Sequence, residues 1–327
     1  MTTGQLPVAS ASARGTPTAM ERLRNGVREF VRYVRSARHR RELLWALLFL
    51  APSLVIFGIF TYYSLAFNVY LSFTSWNFVS PVKTFTGLEN YRLILADQRF
   101  WRAVRQTFYY AGGSVSLSLV FGLVLAILLN QKIVGRGFFR TLAFSPYITT
   151  IAAVSLLWMW IFDPNYGLMN YLLRLVGLNG LPWLSSTRWA MPALIIMSVW
   201  RSMGYNAVIF LAGLTAINRE LYEAASIDGA GALQSFRHIT VPLLSPTTFF
   251  LTVTSIIGAL QVFDSVSVMT KGGPVNSTSV INFYIYEQAF GRFRAGYAAT
   301  ASMLLFVAIL GLTFFQMKVS QRWVHYQ

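Results

Sequence analysis

Five stretches of this sequence carry no aspartate, glutamate, lysine or arginine: Leu43 to Val82, Gln106 to Gln131, Thr141 to Phe162, Ile239 to Phe263 and Ala295 to Met317. A sixth, Trp189 to Ile217, is broken by a single charge, Arg201. About 20 apolar residues in a helix cross a hydrocarbon core about 30 Å thick, and each run is long enough. The runs place membrane helices near residues 44–68, 107–130, 139–162, 190–213, 245–268 and 296–317. One short apolar run alone is equally consistent with a buried helix of a soluble protein. Six in one chain are not, because only 12% of the residues are charged, about half the share of a soluble domain, while 55% are apolar. The expected fold class is all-α: a polytopic membrane protein with six transmembrane helices. Trp158, Trp160 and Trp183, with Tyr62, Tyr63, Tyr109 and Tyr110, gather near the expected helix ends, as interfacial aromatics do.

The lysines and arginines orient these helices. Residues 1–42 hold Arg14, Arg22, Arg24, Arg28, Arg32, Arg35, Arg38, Arg40 and Arg41 against Glu21, Glu29 and Glu42. The positive-inside rule puts this arm in the cytoplasm, and six spans return the C-terminal tail, 321–327, to the same side. The outer loop after the first span runs against the rule with Lys83, Arg92, Arg99, Arg102 and Arg105. The denser cluster that precedes the first span decides. A net charge of +16 invites a nucleic-acid reading, but nine of the 27 basic residues lie in that arm, beside a membrane helix. Attraction to anionic lipid headgroups accounts for them, and no nucleic acid is expected as a partner. The arm is too long, and the run after it too extended, for a cleaved signal. Residues 1–19, rich in Ser, Thr, Ala, Gly and Pro, are expected to be disordered; residues 20–42 fit either a basic surface helix or a solvated charge run.

Between the fourth and fifth runs the sequence turns polar, in "LYEAASIDGAGALQSFRHITVPLLSP". Asn218 is a good N-cap, Glu220 and Glu223 suit the positive end of a helix, and Asp228-Gly229 supplies a stop. These predict a helix of about two turns. A second is expected from Ala232, with Leu233, Phe236 and Ile239 spaced as one apolar face, ending before Pro242. Ala224 and Ala225 are small enough for a partner's backbone to come close, and Glu223 offers a carboxylate to a basic partner. On the residues alone two readings stay open: a short helix that docks in a partner's groove, or an amphipathic loop on lipid headgroups.

Glu223-Ala224-Ala225, then Gly229, Ile239 and Pro242, resemble the EAA signature of inner-membrane permeases of binding-protein-dependent ABC importers. Val241 stands where that family usually has leucine, and Asn218 where many relatives have proline. "GRGFFRTLAFSPY" (Gly135 to Tyr147), "IFDPNYGLMN" (Ile161 to Asn170) and "VFDSVSVMTKGGPVNST" (Val262 to Thr278) are similar to segments of the carbohydrate-uptake branch, which includes maltose and glycerol-3-phosphate permeases. The resemblance spans all but residues 1–42. It implies a transmembrane domain over 43–320, with 218–242 as a cytoplasmic coupling helix carrying Glu223, Ala224, Ala225, Asp228, Gly229, Ile239 and Pro242. The implied setting is a prokaryotic cell membrane, with two copies of a cytoplasmic ATPase, a second and different permease subunit, and an extracytoplasmic binding protein that delivers a sugar-like solute to loops 163–188 and 270–294. Mono- to oligosaccharides, polyols and glycerol phosphate all belong to that branch.

The chain has no GxxxxGK[ST] phosphate loop, so ATP and its magnesium are expected on the ATPase subunit, with no cofactor here. It has no cysteine, and His39, His238 and His325 lie far apart, which argues against a metal site or an enzyme. Arg201 inside an apolar run costs roughly 2.5–3.5 kcal/mol on insertion scales, so it should face protein or water. Trp200, Tyr205 and Asn206 beside it, with Gln261 and Asp264 near the outer part of the fifth expected span, 245–268, make a candidate substrate pathway of aromatic faces and hydrogen-bonding groups. By their spacing from the family motifs, Trp200, Tyr205 and Gln261 also resemble positions near the translocation site of related permeases. Pairing of Arg201 with Asp264 is the competing expectation. A secondary transporter, the rival from another class, would carry repeated halves or ionisable relays, and neither is evident.

Overall fold

A computed structural model describes residues 37–131 and 134–323. The basic arm expected over 1–42 and the tail over 321–327 therefore lie largely outside the described residues. The chain forms two compact units, one up to Phe67 and one from Asn68 onward. The described part of the first is helical: α1 (Ala37–Ile56), a π-helical stretch (Phe57–Tyr63) and the start of α2 (Ser64–Ser72). Phe49 is 77% exposed and Phe60 72%. Rings so open on every side belong to a helix whose solvent is lipid.

The second unit continues from α2 through a two-stranded antiparallel ribbon, β1 (Thr74–Ser75) and β2 (Thr84–Phe85), into α3 (Glu89–Ala96). Then follow α4 (Gln98–Asn130), α5 (Arg136–Ile148), α6 (Ile151–Ile161), α7 (Leu168–Leu175) and α8 (Ala190–Ala216). The polar interruption forms α9 (Arg219–Ile227), α10 (Ala232–Ser235), a π-helical turn (Phe236–Thr240) and α11 (Val241–Leu243). It leads into α12 (Ser245–Leu260), α13 (Asp264–Met269), α14 (Ile281–Tyr286), another π-helical turn (Glu287–Gly291) and α15 (Ala295–Trp323). Among the described residues, Leu44–Ser72, Gln98–Asn130, Ala190–Ala216, Ser245–Met269 and Ala295–Ser320 are long and apolar enough to cross a membrane.

The third expected span, 139–162, is instead two helices, α5 and α6, bent by 99°. Ile148, Thr149, Thr150 and Ile151 are all β-branched, a type that favours extended backbone, and Thr149 and Thr150 adopt it with ψ of 142° and 138°. The Thr149 hydroxyl donates to the Ser145 carbonyl at 3.2 Å, satisfying a helix end that a straight rod would not expose. The fifth span is also interrupted. α12 stops at Leu260, Phe263 takes φ −143° and ψ −56°, and α13 begins at Asp264.

α8 is the centre of the bundle, packed most extensively on α4 and then on α5. Close approach explains its glycine: a Cβ on Gly204 would lie 1.7 Å from the Ala143 carbonyl oxygen, so only glycine lets α5 rest on α8 there. Gly296 does the same at the start of α15, where a Cβ would lie 1.8 Å from the Thr74 carbonyl. Leu194, Met197 and Val266 help to fill one core among α4, α6, α8 and α13, while Phe210, Leu244 and Leu251 fill a second nearer the polar bracket.

Candidate functional site

The break between α12 and α13 opens onto a cavity of about 330 Å³. Non-helical backbone at membrane depth is tolerated where it lines such a space, because polar groups freed from the helix ladder find partners there. From α8 the cavity receives Arg201, Ser202, Tyr205 and Asn206; from α4, Tyr110, Ser114 and Ser118; from α5, Tyr147. Gln261, Phe263 and Asp264 close it at the break. Arg201 and Tyr205 are four residues apart on one helix face, and Tyr147 sits between their functions. The Arg201 guanidinium lies 5.0 Å over the Tyr147 ring and donates from Nη2 to the Tyr147 carbonyl at 3.1 Å. The Tyr147 and Tyr205 rings stack with centroids 4.4 Å apart.

Arg201 Nε and Asn206 Nδ2 are buried and have no hydrogen-bond partner. A buried donor left unpaired is costly, on the order of 1–3 kcal/mol, and both belong to residues that line the cavity. No ion pair joins Arg201 to Asp264 among the described residues. Asp264 stands instead in the first turn of α13, where the helix dipole favours a carboxylate. The site thus offers a flat aromatic wall, a cation, a separate carboxylate and amide and hydroxyl groups.

At the other end of α8 the polar bracket folds as a helix, turn and helix. Asn218 caps α9, its Oδ1 accepting from the Glu220 N–H at 3.1 Å, and Gly229 ends it with φ +80°. Glu223 pairs with Arg219 at 3.2 Å on the exposed surface, beside the exposed Ala224; Ala225 is half-buried and Asp228 exposed. Tyr222 and Thr240 join hydroxyls at 2.9 Å, tying α9 to the returning helix, and Ile239 packs on the core between α4 and α8. Two expectations need correction. Pro242 does not end the second helix: the π-helical turn shifts the ladder so that the Val241 N–H reaches the Phe236 carbonyl, and the chain winds on through Pro242 into α12. Nor do Leu233 and Ile239 share one buried face: six residues at about 100° each set them about 120° apart around the helix, and Leu233 is 78% exposed while Ile239 packs inward.

Residues 118–325, which hold the bracket and all of the cavity lining except Tyr110, Ser114 and Val115, match the family described as binding-protein-dependent transport system inner membrane component. The chain belongs to this family of permeases. Among curated relatives, the probable ABC transporter permease protein YurN of Bacillus subtilis is 38% identical over 275 residues, covering 83% of this chain and 94% of that one. The lactose transport system permease protein LacF of Rhizobium radiobacter is 36% identical over 276 residues, covering 82% and 91%. A crystal structure of a bacterial ABC transporter involved in the import of the acidic polysaccharide alginate superposes with a TM-score of 0.74 at 26% identity, covering 92% of the permease and 99% of that chain. That kind of transporter is also solved in complex with an alginate pentasaccharide-bound periplasmic protein.

Of the pathway residues expected in this permease, Arg201, Tyr205, Asn206, Gln261 and Asp264 line one cavity, and Trp200 does not. Its indole meets Trp158 edge-on at 5.6 Å, in the hydrophobic core. One residue along a helix turns a side chain by about 100°, which carries Trp200 off the face of Arg201. Tyr147 and the stripe Tyr110, Ser114, Ser118 were not anticipated; the four-residue spacing of polar groups on an apolar helix is the signal that marks them. A second polar cluster lies at the end of the permease bundle away from the bracket. Tyr284 and Tyr297 donate to Asp97 Oδ2 at 2.7 and 3.2 Å, and the Arg99 N–H donates to Oδ1 at 2.8 Å. Partial burial pushes the Asp97 carboxyl up, but these hydrogen bonds and the Arg99 charge outweigh it and hold it below the usual range. Burial, together with the same partners, pushes the Tyr284 hydroxyl up.

Proposed function

We propose that this permease carries a sugar or sugar-like solute through the cavity at the α12–α13 break, driven by an ATPase that seats on α9. The observation that carries this reading is the pairing of a stacked tyrosine wall with two unpartnered buried donors, Arg201 Nε and Asn206 Nδ2, in one membrane-depth space. Sugars present apolar ring faces to aromatics and hydroxyl edges to such donors. The relatives that import lactose and alginate support the same class. The acidic polysaccharide carried by the second makes an anionic sugar or glycerol phosphate the alternative, and the unpaired Nε of Arg201 favours it.

In this reading the arginine-rich arm and α9 lie in the cytoplasm. A binding protein delivers solute to loops 163–188 and 270–294, and a second, different permease subunit completes the pathway. ATP and magnesium act on two ATPase copies, whose closure moves the bracket and shifts the bundle between two states. Replacement of Glu223 by lysine is expected to abolish solute-stimulated ATP hydrolysis while the permease still inserts. Wild-type uptake by Glu223→Lys would overturn the assignment of α9.

A further inference from the structure

Phe263, at the wall of the cavity, is also the inner end of a row of aromatic rings. Its ring centroid lies 5.2 Å from Tyr286, Tyr286 lies 5.4 Å from Phe290, Phe290 lies 5.7 Å from Phe78, and Phe78 lies 5.0 Å from Trp76. Phe283 flanks the inner end, 6.4 Å from Phe263 and 6.3 Å from Tyr286. The rings come from three separate parts of the chain: the loop after the first span, the break in the fifth, and α14 with its π-helical turn. Local helix periodicity does not account for such a row.

The outer rings are open, Tyr286 at 45%, Phe290 at 60% and Phe78 at 42% exposure, although they belong to α14, its π-helical turn and the β1–β2 loop rather than to the long apolar helices. They are also held in place. Phe78 has φ +64°, a conformation that a bulky side chain adopts only when its surroundings impose it. The loop that imposes it is closed by the Trp76 indole N–H donating to the Ser80 carbonyl at 2.8 Å and the Ser80 N–H donating to Asn77 Oδ1 at 2.7 Å. Beside Tyr286 and Phe290, Glu287 and Arg292 form an ion pair at 2.9 Å that remains partly exposed. Such a pair supplies both donors and acceptors at the margin of an apolar track.

We infer that the row from Trp76 to Phe263 is a stacking track along which the pyranose rings of an oligosaccharide enter the cavity. The inference rests on the sugar reading above and extends it, naming chains of sugar rings as the solute that gains from the track. Each step between rings is comparable to the length of one pyranose unit, so a chain of sugars holds one ring while the next is released. Continuity with the cavity through Phe263 sets this occupant apart from lipid or a docked protein, neither of which needs the row to reach a polar interior.

The test uses the complete importer in cells, with radiolabelled glucose, lactose and maltotriose as probes, and reads uptake rate and KM separately. Phe290→Ala and Tyr286→Ala are expected to lower maltotriose uptake about three- to tenfold, the weight of one aromatic contact, and to change glucose uptake much less. Phe290→Tyr, which keeps a stacking face, should restore the rate. Co-purification of the ATPase and the binding protein should be unchanged in all three variants. Wild-type maltotriose uptake in both alanine variants would overturn the track and leave the sugar reading intact. So would losing a subunit from the assembly in Phe290→Ala, which would make the row an assembly surface. Failure of the wild-type importer to take up any of the three sugars would overturn the sugar reading and the track with it.

Discussion

At the scale of single residues, the side chains that matter most are polar groups set against apolar walls. Arg201 is held over Tyr147 by its ring contact and one Nη2 hydrogen bond, which leaves Nε buried without a partner. Arg201→Gln is expected to cut uptake of the solute about tenfold or more, the weight of one charge-assisted hydrogen bond, while the purified protein keeps its thermal midpoint. Asp97 works differently, because its acceptor oxygens join α4 to α14 and α15. Its pKa is depressed in the folded state, so it adds stability above the pKa of an unfolded aspartate. That stability is lost as pH falls through the folded value. Thermal unfolding of the detergent-solubilised protein should show this acid-side loss. Asp97→Asn should lower the midpoint at neutral pH, by about 1–3 kcal/mol of stability, and flatten that part of the pH profile. The sequence pointed to Arg201 because a lone charge in an apolar run stands out. Locally Asp97 reads only as the N-cap of α4, because its two tyrosine partners lie far along the chain.

At the scale of elements, the runs of uncharged residues made most membrane helices legible, and Asn218 and Gly229 made α9 legible through its two caps. What was not legible is how helices break. The 99° bend between α5 and α6 and the stop at Leu260 sit inside apolar sequence, where hydropathy is blind to backbone direction, and the π-helical turn before Pro242 sits in the polar bracket, where the proline reads as a stop. They are set by contacts between distant segments, such as α5 resting on Gly204 of α8. Gly204→Ala is therefore expected to separate these helices and cost about 1–3 kcal/mol as an overpacked core does, read as lower folded yield and a lower thermal midpoint. Gly229→Val should cost about 1–2 kcal/mol through its left-handed backbone, and should weaken ATPase retention more than solute binding.

For the whole molecule, the bracket and loop 270–294 are separated by one crossing of the bundle, so they lie at opposite ends. The native chain contains no cysteine, which makes sidedness a direct measurement. Ile227 is 87% exposed on the bracket and Val275 77% exposed in the loop. In intact spheroplasts a membrane-impermeant maleimide should label Val275→Cys at once, and Ile227→Cys only after lysis. Labelling of both from one side would break the six-span topology.

α8, like α4, runs unbroken, from Ala190 to Ala216, while α5–α6 and α12–α13 bend or restart beside it, and only Ile217 and Asn218 separate it from α9. The cavity arginine, near the middle of α8, and the bracket beyond its C-terminal end are thus joined by one stiff rod. A stiff connection transmits in both directions, so linkage imposes a symmetry on the importer. Under the proposed function, whatever factor nucleotide on the ATPase would impose on the hold on solute, solute in the cavity would impose on the hold on nucleotide. Under the proposed function, a variant that loosens this rod would weaken both couplings together, and paired binding measurements would read the loss from either ligand.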